Sequence, residues 1–145
     1  MIRAALRLSS DYLLRNVEVI AETMNGDLML GLVFAAVLQA NVRHVNDDPS
    51  LRDRHGPTHA LVPDEVRRPI SVNALSESLG IPYETTRRYV NRLLAMGWCV
   101  KAGSRGIIIP VEVLQSPEAL SAAAKQIGHM MHYLRQLKEI GFTID

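Results

Sequence analysis

Between Tyr83 and Asn91 the chain reads Tyr-Glu-Thr-Thr-Arg-Arg-Tyr-Val-Asn, a short run dense in groups that hydrogen-bond. A guanidinium presents a planar fork of donors that matches a guanine edge or a phosphate, an Asn amide matches an adenine edge, and hydroxyls serve either. Thr86, Tyr89, Val90 and Leu93 recur at spacings of three and four, so on a helix they share one face, which should pack inward. Tyr83, Glu84, Thr85, Arg87, Arg88 and Asn91 are then left outward or flanking. Arg92 is read on the side away from Arg88, as a solvated side chain. The chemistry on offer is non-covalent recognition of nucleic-acid edges and phosphates.

Other reactive residues are sparse. His129 and His132 stand three apart, and His55 and His59 four apart, so a metal site can be drawn on paper. No carboxylate run or second Cys accompanies them, and solvated or partly packed imidazoles are the simpler reading. Cys99 follows Trp98 in a β-type run and reads as a small buried hydrophobe, not a thiolate nucleophile. No glycine-rich phosphate loop, nucleophile elbow or paired-carboxylate motif is present. No enzyme activity, metal or cofactor is expected.

The elements around the Arg-rich run give it a frame. Ile70-Ser71-Val72 reads as an extended step, and Asn73 as the cap of a helix to about Leu79 whose inward face is Ala74, Leu75 and Leu79. Gly80-Ile81-Pro82 is a turn in which Ile81 plugs the angle between two helices. The second helix runs from Tyr83 to Met96 and is closed by Gly97. Trp98-Cys99-Val100 and Ile107-Ile108-Ile109 flank Gly103-Ser104-Arg105-Gly106, a hairpin signature. A bracing helix, a tight turn and a second helix with an open polar face are the parts of a helix-turn-helix.

At Leu75-Ser76-Glu77-Ser78-Leu79-Gly80-Ile81-Pro82-Tyr83-Glu84-Thr85-Thr86-Arg87-Arg88-Tyr89-Val90-Asn91-Arg92-Leu93-Leu94-Ala95-Met96-Gly97-Trp98 the chain resembles the winged helix-turn-helix of bacterial transcription regulators, the GntR-like ones above all. Those commonly show a Leu-Gly helix end, a Ser-Arg-x-Thr-Val-Arg start to the recognition helix and a Leu-x-x-x-Gly-Leu close. The resemblance implies that the Gly103 to Gly106 hairpin is the wing and that the helix from Leu28 is the first of the domain. Pro82 departs from the pattern, standing where such proteins often place a capping Ser.

Charge supports the same partner independently. Residues 67 to 106 hold seven basic residues, Arg67, Arg68, Arg87, Arg88, Arg92, Lys101 and Arg105, against Glu77 and Glu84, a net of +5. The remainder holds nine basic and thirteen acidic residues, a net of −4, so the overall +1 conceals a basic module on an acidic body. Arg67, Arg68, Lys101 and Arg105 are expected to clamp phosphates, while Tyr83, Glu84, Thr85, Arg87, Arg88 and Asn91 face the major groove.

The rest of the chain reads as support. With 145 residues and 21% charged residues it is one globular domain's worth of chain, and aromatics at 5% favour an aliphatic, helical core. Residues 1–45 suggest two helices: one capped near Ser9, Ser10 and Asp11 and broken at Asn25-Gly26, the second from Leu28 to Val45 after Asp27. Its first turns, apolar all round, suggest burial on every side. The apolar run Leu28 to Leu38 has 11 residues, short of the ~20 that span a bilayer, so no membrane partner is expected. A single Cys excludes an internal disulfide and fits a reducing, cytoplasmic compartment. Residues 46–68, with four prolines counting Pro69 just beyond and no periodicity, suggest a loop or linker. A last helix, capped by Ser116 with Pro117 at its first position, carries Leu120, Ala123, Ile127, Met130, Leu134 and Leu137 at heptad-like spacing, which suits a coiled coil or, equally, packing against the N-terminal helices.

The sequence therefore predicts a mainly α protein divided into N-terminal helices (1–45), a linker (46–68), a winged helix-turn-helix with a small hairpin wing (69–115) and a C-terminal dimerisation helix (116–145). Its expected role is sequence-specific binding of double-stranded DNA as a homodimeric transcription regulator. The operator, the sign of regulation and any small-molecule effector are not legible. The alternative reading is a winged-helix module for protein–protein interaction without DNA binding.

Overall fold

The computed structural model describes residues 1–55, 61–104 and 106–144. The protein is mainly helical, in the order α1 (Ile2–Thr23), α2 (Leu28–Asp47), α3 (Pro49–His55), β1 (Ile70–Ser71), α4 (Val72–Leu79), α5 (Tyr83–Met96), β2 (Val100–Ala102), β3 (Gly106–Ile108), α6 (Val111–Leu114) and α7 (Pro117–Glu139). The chain divides into two compact units, Met1–Leu28 with Pro117–Asp145, and Met29–Ser116.

The first unit is an antiparallel helix pair. Tyr12 of α1 stacks on Tyr133 of α7 with ring centroids 4.8 Å apart, and Lys125 donates to Glu22 at 2.9 Å, so the start of one helix lies beside the end of the other. The helix α1 begins at Ile2, well before the expected caps. Ser9, Ser10 and Asp11 lie inside it, and Asp11 pairs with Arg15 one turn on at 2.8 Å. The C-terminal stripe also differs from a buried seam: Leu120, Ile127, Met130 and Leu134 are exposed, and only Leu137 is buried.

The second unit holds α2 to α6 around a core of Leu30, Val33 and Val37 from α2, Leu75 from α4, Val90 and Leu93 from α5, and Ile107, Ile108 and Ile109. From Met29 on, the helix α2 belongs to this unit. It has 20 residues, and an 18-residue stretch of it has a mean hydropathy of 1.5, long and apolar enough to cross a membrane by length and composition. Its buried positions recur at helical spacing along one face, ending in Asn41 and Val45, while Met29, Leu32, Ala35, Ala36 and Leu38 are half-buried and Leu28 is exposed. It is thus not buried all round.

Three details differ from the expected punctuation. Residues 46–68 are not all loop: Asp48 Oδ1 accepts from the Ser50 amide at 2.9 Å, with Pro49 in the first helical position, and this starts α3. Ser71, not Asn73, caps α4, its hydroxyl accepting from the Ala74 amide at 3.1 Å. Ala74 is exposed, and the inward face of this helix carries Leu75 and Ser76, both buried, with Leu79 half-buried.

The strands form a small antiparallel sheet in the order β1-β3-β2. Ile70 pairs with Ile107, and Lys101 pairs with Ile107 from the other side, so β3 is central. Gly103 turns the hairpin with φ +67°, a conformation that disfavours any side chain. Gly106 is required for a different reason: a Cβ there would collide with the Cβ of Pro69 on the way into β1.

Candidate nucleic-acid interface

Helix α5 is bounded as its sequence dictates. Gly80 at φ +69° ends α4, Pro82 ends the turn, and Gly97 at φ +77° closes α5. Pro82 offers no side-chain cap; its carbonyl instead accepts from both the amide and the hydroxyl of Thr86 at 3.0 Å. Thr86 is therefore a satisfied buried polar residue, and with Val90 and Leu93 it fixes which face of α5 turns inward. Behind α5, Trp98 meets the Phe34 ring of α2 edge to face at 5.3 Å, tying the helix end to α2.

The opposite face of α5 is exposed and carries Glu84, Arg88, Asn91 and Arg92. Arg88 and Arg92 are one turn apart, neighbours on the same face. Both line a shallow cavity of about 250 Å³ with Thr85 and Tyr89. This corrects the assignment of Arg92 to the far side. Its guanidinium also lies over the Tyr89 ring, 5.6 Å from the centroid, a cation–π contact that orients it. The signal for Arg92 was legible, since positions i and i+4 always share a helix face.

Arg87 has a local partner. Its Nε and Nη2 donate to Glu84 Oε2 at 3.2 and 3.0 Å, and this hydrogen bond, with the charge of Glu84, raises the guanidinium pKa further. The two side chains form an exposed ion pair, so the face contributes less net charge at Arg87 than the sequence suggested. Tyr83 is exposed.

Away from α5, the four expected phosphate contacts divide. Arg68 is exposed, and its backbone is held on both sides by Asn41: the Arg68 amide donates to the Asn41 carbonyl at 2.9 Å, and Asn41 Nδ2 donates to the Arg68 carbonyl at 2.8 Å. Asn41 Nδ2 also donates to the Ile107 carbonyl at 3.2 Å, and Asn41 Oδ1 accepts from the Ile109 amide at 2.9 Å. One buried side chain thus pins the approach to β1 and the central strand β3 to α2. Lys101 is exposed on β2, the strand paired with β3.

Arg67 is a correction. Its side chain is 2% exposed, its Nε donates to the Val62 carbonyl at 3.0 Å, and Asp64 lies 4.0 Å away. Burial pulls its pKa down, opposed by the charge of Asp64. The amide of Arg67 closes a turn on Pro63 and Asp64, and that turn swings the side chain inward, away from any phosphate. Arg105 lies outside the described residues, as do His59 and the side chain of His55.

The remaining reactive groups form no constellation with this face. Cys99 is buried, and burial pushes its thiol pKa up to about 11, so it is a poor nucleophile at neutral pH. His129 is half-buried and His132 exposed on α7, and no group of three metal-ligating side chains occurs among the described residues. Compared with protein-family models, curated proteins and solved structures, the chain matches none.

Proposed function

We propose that α4, α5 and the β2–β3 hairpin form a winged helix-turn-helix that binds double-stranded DNA sequence-specifically, and that the protein is a noncatalytic, cytoplasmic transcription regulator. One observation carries this reading: the inward face of α5 is closed by Thr86, Val90 and Leu93, while its outward face presents Arg88, Asn91 and Arg92 to solvent. An α-helix fits the major groove, and this side-chain set matches its donor and acceptor pattern.

In this reading Arg88, Asn91 and Arg92 approach base edges, with Thr85 and Tyr83 flanking. Arg68 and Lys101 hold phosphates, and Asn41 fixes the Arg68 backbone and the central strand β3, with which β2 pairs. Glu84 orients Arg87 by its ion pair until a phosphate competes for the guanidinium.

The test is binding of a labelled duplex, followed by anisotropy across a salt series. Affinity is expected to fall with a log–log slope of about −0.9 for each phosphate neutralised. Replacing Arg88 and Arg92 together by Ala should weaken binding and reduce discrimination between duplexes, whereas Lys101→Ala should weaken all duplexes alike. Binding that is absent at low salt, or unchanged in a folded Arg88→Ala, Arg92→Ala, Lys101→Ala triple variant, would refute the proposal.

A further inference from the structure

A carboxylate stands in the middle of the exposed, basic face of α5. Glu84, Arg88 and Asn91 recur at spacings of four and three, so they form one line along the outward side of the helix. Glu84 opens that line as the second residue of α5, its side chain 68% exposed. In the first turn a carboxylate is stabilised by backbone amides that have no carbonyl partner, which explains a Glu there as far as the helix is concerned. Between the walls of a DNA groove the same carboxylate faces phosphates of its own sign and gives up water, at a cost, unless it meets a donor.

The donors in the major groove are the amino groups of cytosine, N4, and adenine, N6. Adenine N6 stands between two acceptors, its own N7 and O4 of the paired thymine, so a group that only accepts is repelled from both sides. Cytosine N4 has an acceptor on one side, O6 of the paired guanine, and an apolar C–H edge on the other, which leaves a carboxylate an approach. We propose, resting on the DNA-binding reading, that Glu84 selects a cytosine at one position of the bound site and that Arg87 leaves it for a phosphate when it does.

Arg87 is the partner that makes the exchange possible. Its Nε and Nη2 both donate to Oε2 of Glu84, at 3.2 and 3.0 Å, and its side chain is 45% exposed, so the pair is accessible and can be broken without unfolding the helix. Successive residues of a helix are turned by ~100°, which puts Arg87 on the flank of the line that Arg88 belongs to, toward the groove wall where the phosphates run. On a duplex with the cytosine, its amino group replaces the guanidinium as donor to Glu84, and Arg87 is released to a phosphate. On a duplex without it Glu84 keeps Arg87, and both contacts are missing. A wrong base is thereby penalised twice, once in the groove and once at the backbone.

Wild type, Glu84→Gln and Glu84→Ala are each used to select from a library of duplexes with a randomised central segment, with circular dichroism as the check that the helices are intact. The wild type should enrich cytosine at one position. Glu84→Ala should lose preference there alone, and Glu84→Gln should enrich adenine there, because a Gln amide both accepts from N6 and donates to N7. Replacing that C·G pair by T·A in the selected duplex should weaken the wild type by ~5-fold or more and reduce its log–log salt slope by about 0.9, while Arg87→Ala should show one slope on both duplexes. Enrichment of no sequence by the wild type would refute the sequence-specific DNA-binding reading itself, and this inference with it. A selected site that Glu84→Gln and Glu84→Ala leave unchanged at every position would overturn the role of Glu84 and leave DNA binding standing, even if both variants lost the stability that a helix terminus explains. A wild-type slope equal on the two duplexes would overturn the exchange at Arg87.

Discussion

Asn41 is the side chain whose removal should do most damage to the proposed interface without touching it. It is fully buried and makes hydrogen bonds of 2.8 and 3.2 Å to the carbonyls of Arg68 and Ile107 and of 2.9 Å from the amide of Ile109. Asn41→Leu keeps the volume and removes all three. The cost is set less by the lost bonds than by the backbone groups left behind, because a buried group without a partner costs ~1–3 kcal/mol. Ile109 is fully buried, so its amide has no water to turn to, whereas the Arg68 carbonyl belongs to a more exposed residue. Taking the full penalty for the Ile109 amide and part of it for the two carbonyls gives a loss of about 3–5 kcal/mol, a large share of a domain's stability. Urea melts followed by circular dichroism measure it, and hydrogen exchange should show the Ile109 amide losing protection first. A loss below ~1 kcal/mol, or an Ile109 amide as protected as in the wild type, would refute the argument that this side chain pins β3 to α2.

Other expectations follow from the same geometry. Leu93→Ala, at a fully buried position on α5, should cost ~2–5 kcal/mol in denaturant melts. Gly106→Ala should destabilise the hairpin, because its new Cβ meets Pro69; a variant as stable as the wild type would show that β1 can move aside. Arg67→Met should leave the salt dependence of duplex binding unchanged, whereas Arg68→Ala should reduce its slope by about 1. For Cys99 the folded-state pKa lies above the ordinary 9.0, so the neutral thiol favours the folded chain. That contribution is intact below pH 9 and is lost as pH rises toward about 11. Stability measured across that range should fall in the wild type and fall less in Cys99→Ala.

What could be read from the sequence was local and periodic. The bounds of α5 follow from Pro82 and Gly97, whose backbone preferences act whatever surrounds them, and its inward face follows from the spacing of Thr86, Val90 and Leu93. The same periodicity places Arg92 beside Arg88, and Asp48-Pro49 carries the start signal of α3, so both were legible. The fate of Arg67 was not. Its charge and its neighbour Arg68 suggested a phosphate clamp, and only the turn at Pro63 and Asp64, closed against the second unit's core, buries one guanidinium and exposes the next. Asn41 gave no sign of its role either, because its three partners lie 27, 66 and 68 residues away along the chain. The sequence also shows apolar stripes on α1 and α7 without saying which of them the chain itself covers. A heptad spacing fixes what shares a face, and tertiary packing alone decides what that face meets.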